Sequence, residues 1–137
     1  MTIKAIQTRY AGCRFRSRTE ARWAVVFDHL RLRWEYEPDG YRLPSGAYLT
    51  DFWLPDLAEW VEIKPVVHRT VDPRWQELVD ASAFDLRVLY GQPGPDHEQQ
   101  VFRPGRRPTR RLRLPAARQT AQTLAAWQAG RSARFGT

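Results

Sequence analysis

The sequence predicts an α/β fold in which a mixed β-sheet is flanked by helices, with elements in the order α-β-β-β-α-β. Two segments carry strong helix-start signals, namely Ser17 with Glu20 three residues later, and Asp72 followed by Pro73. Short, partly alternating apolar segments bounded by Pro and Gly lie between and after them, which is typical of strands. The closing strand–helix–strand arrangement predicts one parallel pair within the sheet.

The first helix is predicted from Ser17, as N-cap, to about Leu30, because Ala24, Phe27 and Leu30 form an apolar stripe with helical spacing. Three strands follow in close succession over residues 32–36, 48–54 and 59–64, and each is bounded by turn residues. The second strand carries Asp51, and the third carries Glu62 and Lys64.

The second helix is predicted from Asp72 to about Ala83, and the fourth strand over residues 86–90. We divide the chain into a core, residues 1–95, and an Arg-rich C-terminal extension, residues 96–137. The extension contains a predicted helix over residues 116–129, anchored by Leu124 and Trp127 and stopped by Gly130.

Composition limits the class of protein. A chain of 137 residues with 42% hydrophobic residues supports one packed core. The single cysteine, Cys13, cannot form an internal disulfide, which favours the cytoplasm. No stretch approaches the roughly 20 apolar residues of a membrane span, so we expect no membrane partner. His29 and His97 are expected at the surface.

Charge is divided unevenly along the chain. Residues 1–98 hold 13 basic and 15 acidic residues, whereas residues 99–137 hold nine Arg and no acid. Such a segment suits a polyanionic partner, and we expect it to be extended or mobile without ligand. The predicted nucleic-acid-binding residues are Arg103, Arg106, Arg107, Arg110, Arg111 and Arg113.

The candidate site starts from the strand at Glu62 and Lys64. Side chains alternate along a strand, so these two point to one face while Val61 and Ile63 point to the other. A neighbouring strand with Asp51 would bring two carboxylates and one ammonium together, as phosphodiester hydrolysis with a hard cation requires. The alternative is that Glu-x-Lys is an ordinary solvated strand face.

Four segments in this order resemble the PD-(D/E)XK nuclease superfamily and are most similar to its small phage and bacterial members. The segments are residues 16–22, 36–38, 50–52 and 62–65. The resemblance covers about residues 10–93 and implies a restriction-endonuclease-like fold, with the Arg-rich extension outside it. Thr50 stands where the motif usually has proline, a residue that shapes the strand and supplies no ligand.

The resemblance implies that Asp51 and Glu62 bind Mg²⁺ or Mn²⁺ with help from the Ile63 backbone carbonyl. It further implies that Lys64 orients or activates the attacking water. Glu20 would be the helix carboxylate that many members place at the same site, although the N3 position of a capping box explains it equally well. An all-oxygen ligand set without a Cys or His cluster independently favours a hard divalent cation.

The predicted function is therefore a metal-dependent DNA endonuclease with catalytic residues Glu20, Asp51, Glu62 and Lys64. The alternative is a non-catalytic nucleic-acid-binding protein on a nuclease-like scaffold. An RNA-binding role of the ribosomal type would rest on the arginines alone. One site cuts one strand per engagement, so double-strand cleavage requires a homodimer or a partner protein. The strandedness of the substrate and the number of ions stay open.

Overall fold

The computed structural model describes residues 7–94, 97–113 and 121–135. Within these ranges the chain forms three helices, α1 (Arg18–His29), α2 (Pro73–Ser82) and α3 (Ala121–Ser132). The strands are β1 (Thr8–Tyr10), β2 (Cys13–Phe15), β3 (Glu35–Tyr36), β4 (Tyr41–Leu43), β5 (Gly46–Tyr48), β6 (Phe52–Leu54), β7 (Glu59–Lys64), β8 (Asp85–Tyr90), β9 (Glu98–Phe102) and β10 (Leu112–Arg113).

Six of the strands form one mixed sheet in the order β10-β9-β8-β7-β6-β3. Strands β7 and β8 are parallel and are joined through α2, which confirms the predicted crossover, while the other pairs are antiparallel. Strands β1–β2 and β4–β5 form two separate hairpins. None of the helices in the described ranges has the length and apolar character needed to cross a membrane.

The sheet separates two hydrophobic clusters. On one face α1 and α3 pack over Phe52, Val61 and Ile63. On the other face α2 and the β4–β5 hairpin pack over Trp60 and Val88. Both faces of β7 and β8 are thus covered, as expected for the parallel centre of an α/β sheet.

Both predicted helix starts are confirmed. The Ser17 hydroxyl accepts the Glu20 N–H at 3.1 Å, and the Asp72 carboxylate accepts the Arg74 N–H at 2.9 Å, with Pro73 at the first helical position. These bonds satisfy amide groups that would otherwise lack partners at the helix N-termini. The observed C-termini lie within one residue of the predicted ones.

The first two predicted strands are wrong in extent. Pairing over 32–36 is limited to Glu35–Tyr36, because the Arg33 N–H donates to the Asp56 carboxylate instead of to a strand. The predicted strand 48–54 is two strands, β5 and β6, that belong to different sheets. Asp51 lies in the bend between them, where the chain leaves one ladder and joins the next.

The described residues of the Arg-rich segment pack on the core instead of forming an extended tail. Strand β9 lies beyond the 95/96 boundary and pairs with β8, and Phe102 is 1% exposed in the core. Thr109 holds the returning chain, since its N–H donates to the Val101 carbonyl while its hydroxyl accepts the Val101 N–H, both at 2.9 Å. Residues 116–120 of the predicted C-terminal helix lie outside the described residues.

The predicted helix stop at Gly130 is wrong, because Gly130 lies inside α3 where this helix crosses α1. A Cβ at this position would lie 2.4 Å from Val26 Cγ2 and 2.6 Å from the Arg22 carbonyl oxygen. Glycine is therefore required by the close approach of two helices. Trp127 is buried as predicted, whereas Leu124 is 37% exposed and anchors little.

Gly130→Ala should lower the free energy of unfolding by about 1–3 kcal/mol, because the added methyl group forces the two helices apart. Helix propensity alone predicts the opposite, namely an increase of about 1 kcal/mol in the free energy of unfolding. Urea unfolding of the variant decides between them. The control is Ala125→Gly, at an exposed position of the same helix. This change should lower the free energy of unfolding only by the difference in helix propensity between alanine and glycine. A stabilised Gly130→Ala protein would contradict the packing argument.

Candidate active site

Asp51 is fixed to the end of β7 by two hydrogen bonds. Its carboxylate Oδ2 accepts the Ile63 N–H at 2.7 Å, and its own N–H donates to Glu62 Oε1 at 3.2 Å. The N–H and C=O of one strand residue point toward the same neighbour, so the Ile63 carbonyl oxygen also points to the Asp51 side. The bend thus gathers two carboxylates and one backbone carbonyl.

Glu62 and Lys64 share a face of β7, as predicted. Lys64 Nζ lies 3.3 Å from Glu62 Oε2, while Val61 and Ile63 pack into the opposite cluster beneath α1. The Glu62 side chain is 6% exposed and that of Lys64 is 28% exposed, so the ammonium group forms the solvent-facing part of the pair.

Glu20 approaches from the other face of the sheet. Its Oε1 accepts the Tyr36 hydroxyl at 2.6 Å, and that hydroxyl accepts the Arg16 N–H at 2.9 Å. Glu20 is 8% exposed and close enough to Asp51 for its charge to act on that group. Its side chain is therefore directed by Tyr36 toward the site, in addition to the contact of its N–H with the Ser17 cap. This role of Tyr36 was not predicted from the sequence.

The carboxylates repel one another in a poorly solvated position. Burial, followed by the charges of Glu62 and Glu20, raises the pKa of Asp51 well above its usual value. Burial also raises the pKa of Glu62, and the neighbouring Lys64 charge partly offsets this increase. Asp51 is thus the group that gains most from a nearby positive charge.

Polar groups beside Glu62 have unused hydrogen-bonding capacity. Among the described residues, the Thr50 hydroxyl is buried without a hydrogen-bond partner, and the Tyr48 hydroxyl and the Trp75 indole N–H are buried without a well-formed hydrogen bond, although Tyr48 lies close enough to interact with both Glu62 and Trp75. Burial first, and then the adjacent Glu62 charge, raises the pKa of Tyr48. Buried polar groups are rarely left unsatisfied, and such clusters are found where water or an ion binds.

The donor set fits a hard divalent cation. In the described part of the chain, no three Asp, Glu, His or Cys side chains form a ligand group for a metal ion. The available set is instead the Asp51 and Glu62 carboxylates with the Ile63 carbonyl, all oxygen donors of the kind that Mg²⁺ and Mn²⁺ accept.

The six predicted nucleic-acid-binding arginines do not lie together. Strand pairing places Phe102 beside Leu86 and Trp60, so Arg103 and the turn after it lie at least about 16 Å from Lys64 along the strand direction. Arg106 and Arg107 are exposed in that distant turn. Arg110 is exposed on the stretch that returns toward the candidate site, and the side chain of Arg113 lies outside the described residues.

Arg111 is committed to contacts within the protein. Its guanidinium lies 3.6 Å from the Tyr90 ring centroid, contacts Glu98 and donates to the carbonyls of Val66 and His68. This residue therefore clamps the loop that follows Lys64, and it is poorly placed to bind phosphate. Arg103 also has an acidic neighbour within the protein, since its Nε lies 3.9 Å from Asp85 Oδ2.

A cleft of about 580 Å³ adjoins the candidate site and was not predicted. Ile63 and Lys64 line it, together with Ser17, Thr19, Pro65, Val66, Tyr90, Gly91, Gln92, His97 and Arg131. The expectation of a surface His97 is wrong, because its ring is 4% exposed and lies edge-on between Trp23 and Trp127. No sequence signal marks this histidine, since both tryptophans are distant from it along the chain.

No protein-family model matches the chain, and no curated protein matches it. The resemblance to PD-(D/E)XK nucleases therefore stays a prediction from the order of the sequence motifs.

Asp51→Asn should stabilise the metal-free protein at neutral pH. The folded Asp51 binds its proton more tightly than the unfolded chain does, so stability falls as pH rises from about 4, the unfolded carboxyl value, through the raised folded pKa. Asparagine removes this loss and still accepts the Ile63 N–H. In EDTA at pH 7.5 we expect Tm to rise by a few degrees, at roughly 3–5 °C per kcal/mol for a domain of this size.

The difference in Tm between Asp51→Asn and wild type should disappear near pH 4. Asp56→Asn is the matched control, because hydrogen bonds from Arg33 lower the pKa of Asp56 and give this change the opposite sign. A lower Tm for Asp51→Asn than for wild type at pH 7.5 would show that Asp51 is not under electrostatic strain.

Proposed function

We propose that the protein is a metal-dependent DNA endonuclease that hydrolyses phosphodiester bonds. The observation that carries the proposal is the Asp51 carboxylate, fixed by the Ile63 N–H at 2.7 Å next to Glu62 and within range of Glu20. The three carboxylates outnumber the one ammonium group in direct contact with them, that of Lys64, although the charges of Arg74 and Arg16 also act on Glu62 and Glu20. A divalent cation would add positive charge among these carboxylates, and it prefers oxygen ligands.

Asp51 and Glu62, with the Ile63 carbonyl, would hold Mg²⁺ or Mn²⁺. When bound, such an ion supplies Lewis acidity to the phosphate and activates water. The chain positions these donors before any ion binds, because the Asp51 bend is locked to β7 at both its N–H and its carboxylate. Preorganised donors avoid the cost of reorganisation during the reaction.

Lys64 has the exposure and the partner needed to act on the nucleophile or the phosphate. Its contact with Glu62 keeps the ammonium group at the site, and its exposed fraction leaves hydrogen-bond donors for an incoming oxygen. Glu20 is held by Tyr36 and acts on Asp51 through its charge. We assign Glu20 an indirect role, in which its negative charge acts on Asp51 from the opposite face of the sheet.

Lys64→Ala should reduce cleavage of supercoiled DNA by about 10²–10³-fold, the usual effect of removing one donor to developing charge. Its Tm should fall, because the change leaves the buried Glu62 carboxylate without its cation, and melting curves check that the variant still folds. Arg14→Ala, an exposed change on β2, is the control and should cleave normally. Wild-type activity in Lys64→Ala, or cleavage undiminished by EDTA, would refute the assignment.

Metal binding is measured separately from cleavage. Mg²⁺ should raise the Tm of the wild-type and Lys64→Ala proteins, because a ligand that binds only the folded state stabilises it. Asp51→Asn should lose this increase. DNA binding without cleavage and without a Mg²⁺-dependent Tm would favour the non-catalytic nucleic-acid-binding alternative.

The arginines provide a further test of where DNA lies. Arg110→Gln should lower the log–log salt slope of duplex binding by roughly 0.9, the value for one phosphate contact. Arg106→Gln is the matched control, equally exposed in the same segment but at the far end of the sheet, and should leave the slope unchanged. Equal slopes for the two variants would place the duplex away from the proposed site.

A further inference from the structure

The cleft of about 580 Å³ beside Lys64 has the size and chemistry of a small-ligand site. Its volume falls within the roughly 300–1,000 Å³ range of such pockets. It shares Ile63 and Lys64 with the candidate active site, so a molecule in the cleft would lie next to the reacting phosphate. None of the roles assigned above uses this space.

The walls of the cleft are mainly apolar and are held in place. Ile63, Pro65 and Val66 line one part, and Gly91 lies opposite Val66. Gly91 has φ +87°, and a Cβ there would lie 3.5 Å from Val66 Cβ, so glycine both permits the turn and keeps the cleft open. The Arg111 clamp on the Val66 and His68 carbonyls fixes the outer wall.

Hydrogen-bonding groups line the rest of the cleft. Gln92 Nε2 donates to the Thr19 hydroxyl at 2.7 Å, which leaves the Thr19 O–H proton free to donate. His97 Nδ1 lies 2.5 Å from the Gly94 carbonyl, so this nitrogen carries the proton and Nε2 is the acceptor of a neutral ring. Burial lowers the pKa of His97 and favours this neutral form.

We propose that this cleft receives the base of an unpaired nucleotide next to the cleaved phosphate, so that the enzyme acts on DNA containing unpaired or extruded bases. The inference rests on the proposed nuclease function and specifies its substrate class. Mainly apolar walls with a few donors and acceptors suit a heteroaromatic base, and the Lys64 ammonium at the shared edge suits the adjoining phosphate.

A base inside a duplex cannot reach such a cleft without leaving the stack. The cost of unstacking is smallest for a base that is already unpaired, which gives selectivity without reading a sequence. The proposal therefore predicts preference for a bulge or mismatch over perfect duplex, with cleavage at the phosphate adjoining the unpaired nucleotide.

Two neighbouring valines give a matched pair of variants. Val66 lines the cleft and is 51% exposed, whereas Val67 is 70% exposed and does not line it. Val66→Phe should fill the cleft, and Val67→Phe adds the same group to the same loop outside it. Both positions are exposed, so both variants should fold, which melting curves check.

The experiment measures binding of two duplexes of one sequence, fully paired or with a single bulged 2-aminopurine, in EDTA to prevent cleavage. Wild type and Val67→Phe should bind the bulged duplex about tenfold more tightly and change its fluorescence. Val66→Phe should bind both duplexes equally. No preference in wild type, or equal preference in the two variants, would overturn the inference.

Failure of the inference and failure of the nuclease proposal are distinguishable. A bulge preference lost only in Val66→Phe supports the cleft even when Mg²⁺ yields no cleavage, in which case the nuclease proposal falls alone. Mg²⁺-dependent cleavage of duplex that is indifferent to the bulge and to Val66→Phe keeps the nuclease and overturns the base-binding cleft.

Discussion

The hydrogen bond from the Ile63 N–H to the Asp51 carboxylate is the contact on which the site depends. Strand β6 begins only at Phe52, so it does not reach the backbone N–H of Ile63 in β7. The Asp51 side chain accepts this hydrogen bond in place of a strand. The chain can therefore bend at Asp51 without leaving the Ile63 amide unpaired. The same bond turns Asp51 toward Glu62, and it leaves the Ile63 carbonyl on the side where both carboxylates meet.

Placing these acids at the junction of two hydrophobic clusters costs stability. Glu62 is 5% exposed and Glu20 is 8% exposed, yet the positive group in contact with them, Lys64, pairs with Glu62 alone. The packing of β7 and β8 between two helical layers offsets this cost, since both faces of the parallel pair are buried. Functional sites commonly concentrate such unfavourable arrangements, and the rest of the fold tolerates them.

Local signals in the sequence predicted what depends on local chemistry. The Ser17 and Asp72 caps, Pro73 and the alternation of Glu62 and Lys64 are set by neighbours within a few residues, and all are observed. The Asp51 bend and the burial of His97 depend on partners 12 or more residues away, which periodicity does not encode. Strand β9 lies closer to its partner β8, but the turn formers and arginines around it hide its strand pattern. Gly130 shows the same limit, because a glycine that ends a helix and one that admits another helix are identical in sequence.

Strand β3 forms the edge of the sheet nearest the candidate site, and it pairs over only Glu35 and Tyr36. So short an edge exposes few backbone groups to another chain, which limits edge-to-edge aggregation. It also removes one route to self-association, since a second copy cannot extend the sheet across this edge with a ladder of useful length. Another chain that bound at this edge would therefore have to be held mainly by side-chain contacts.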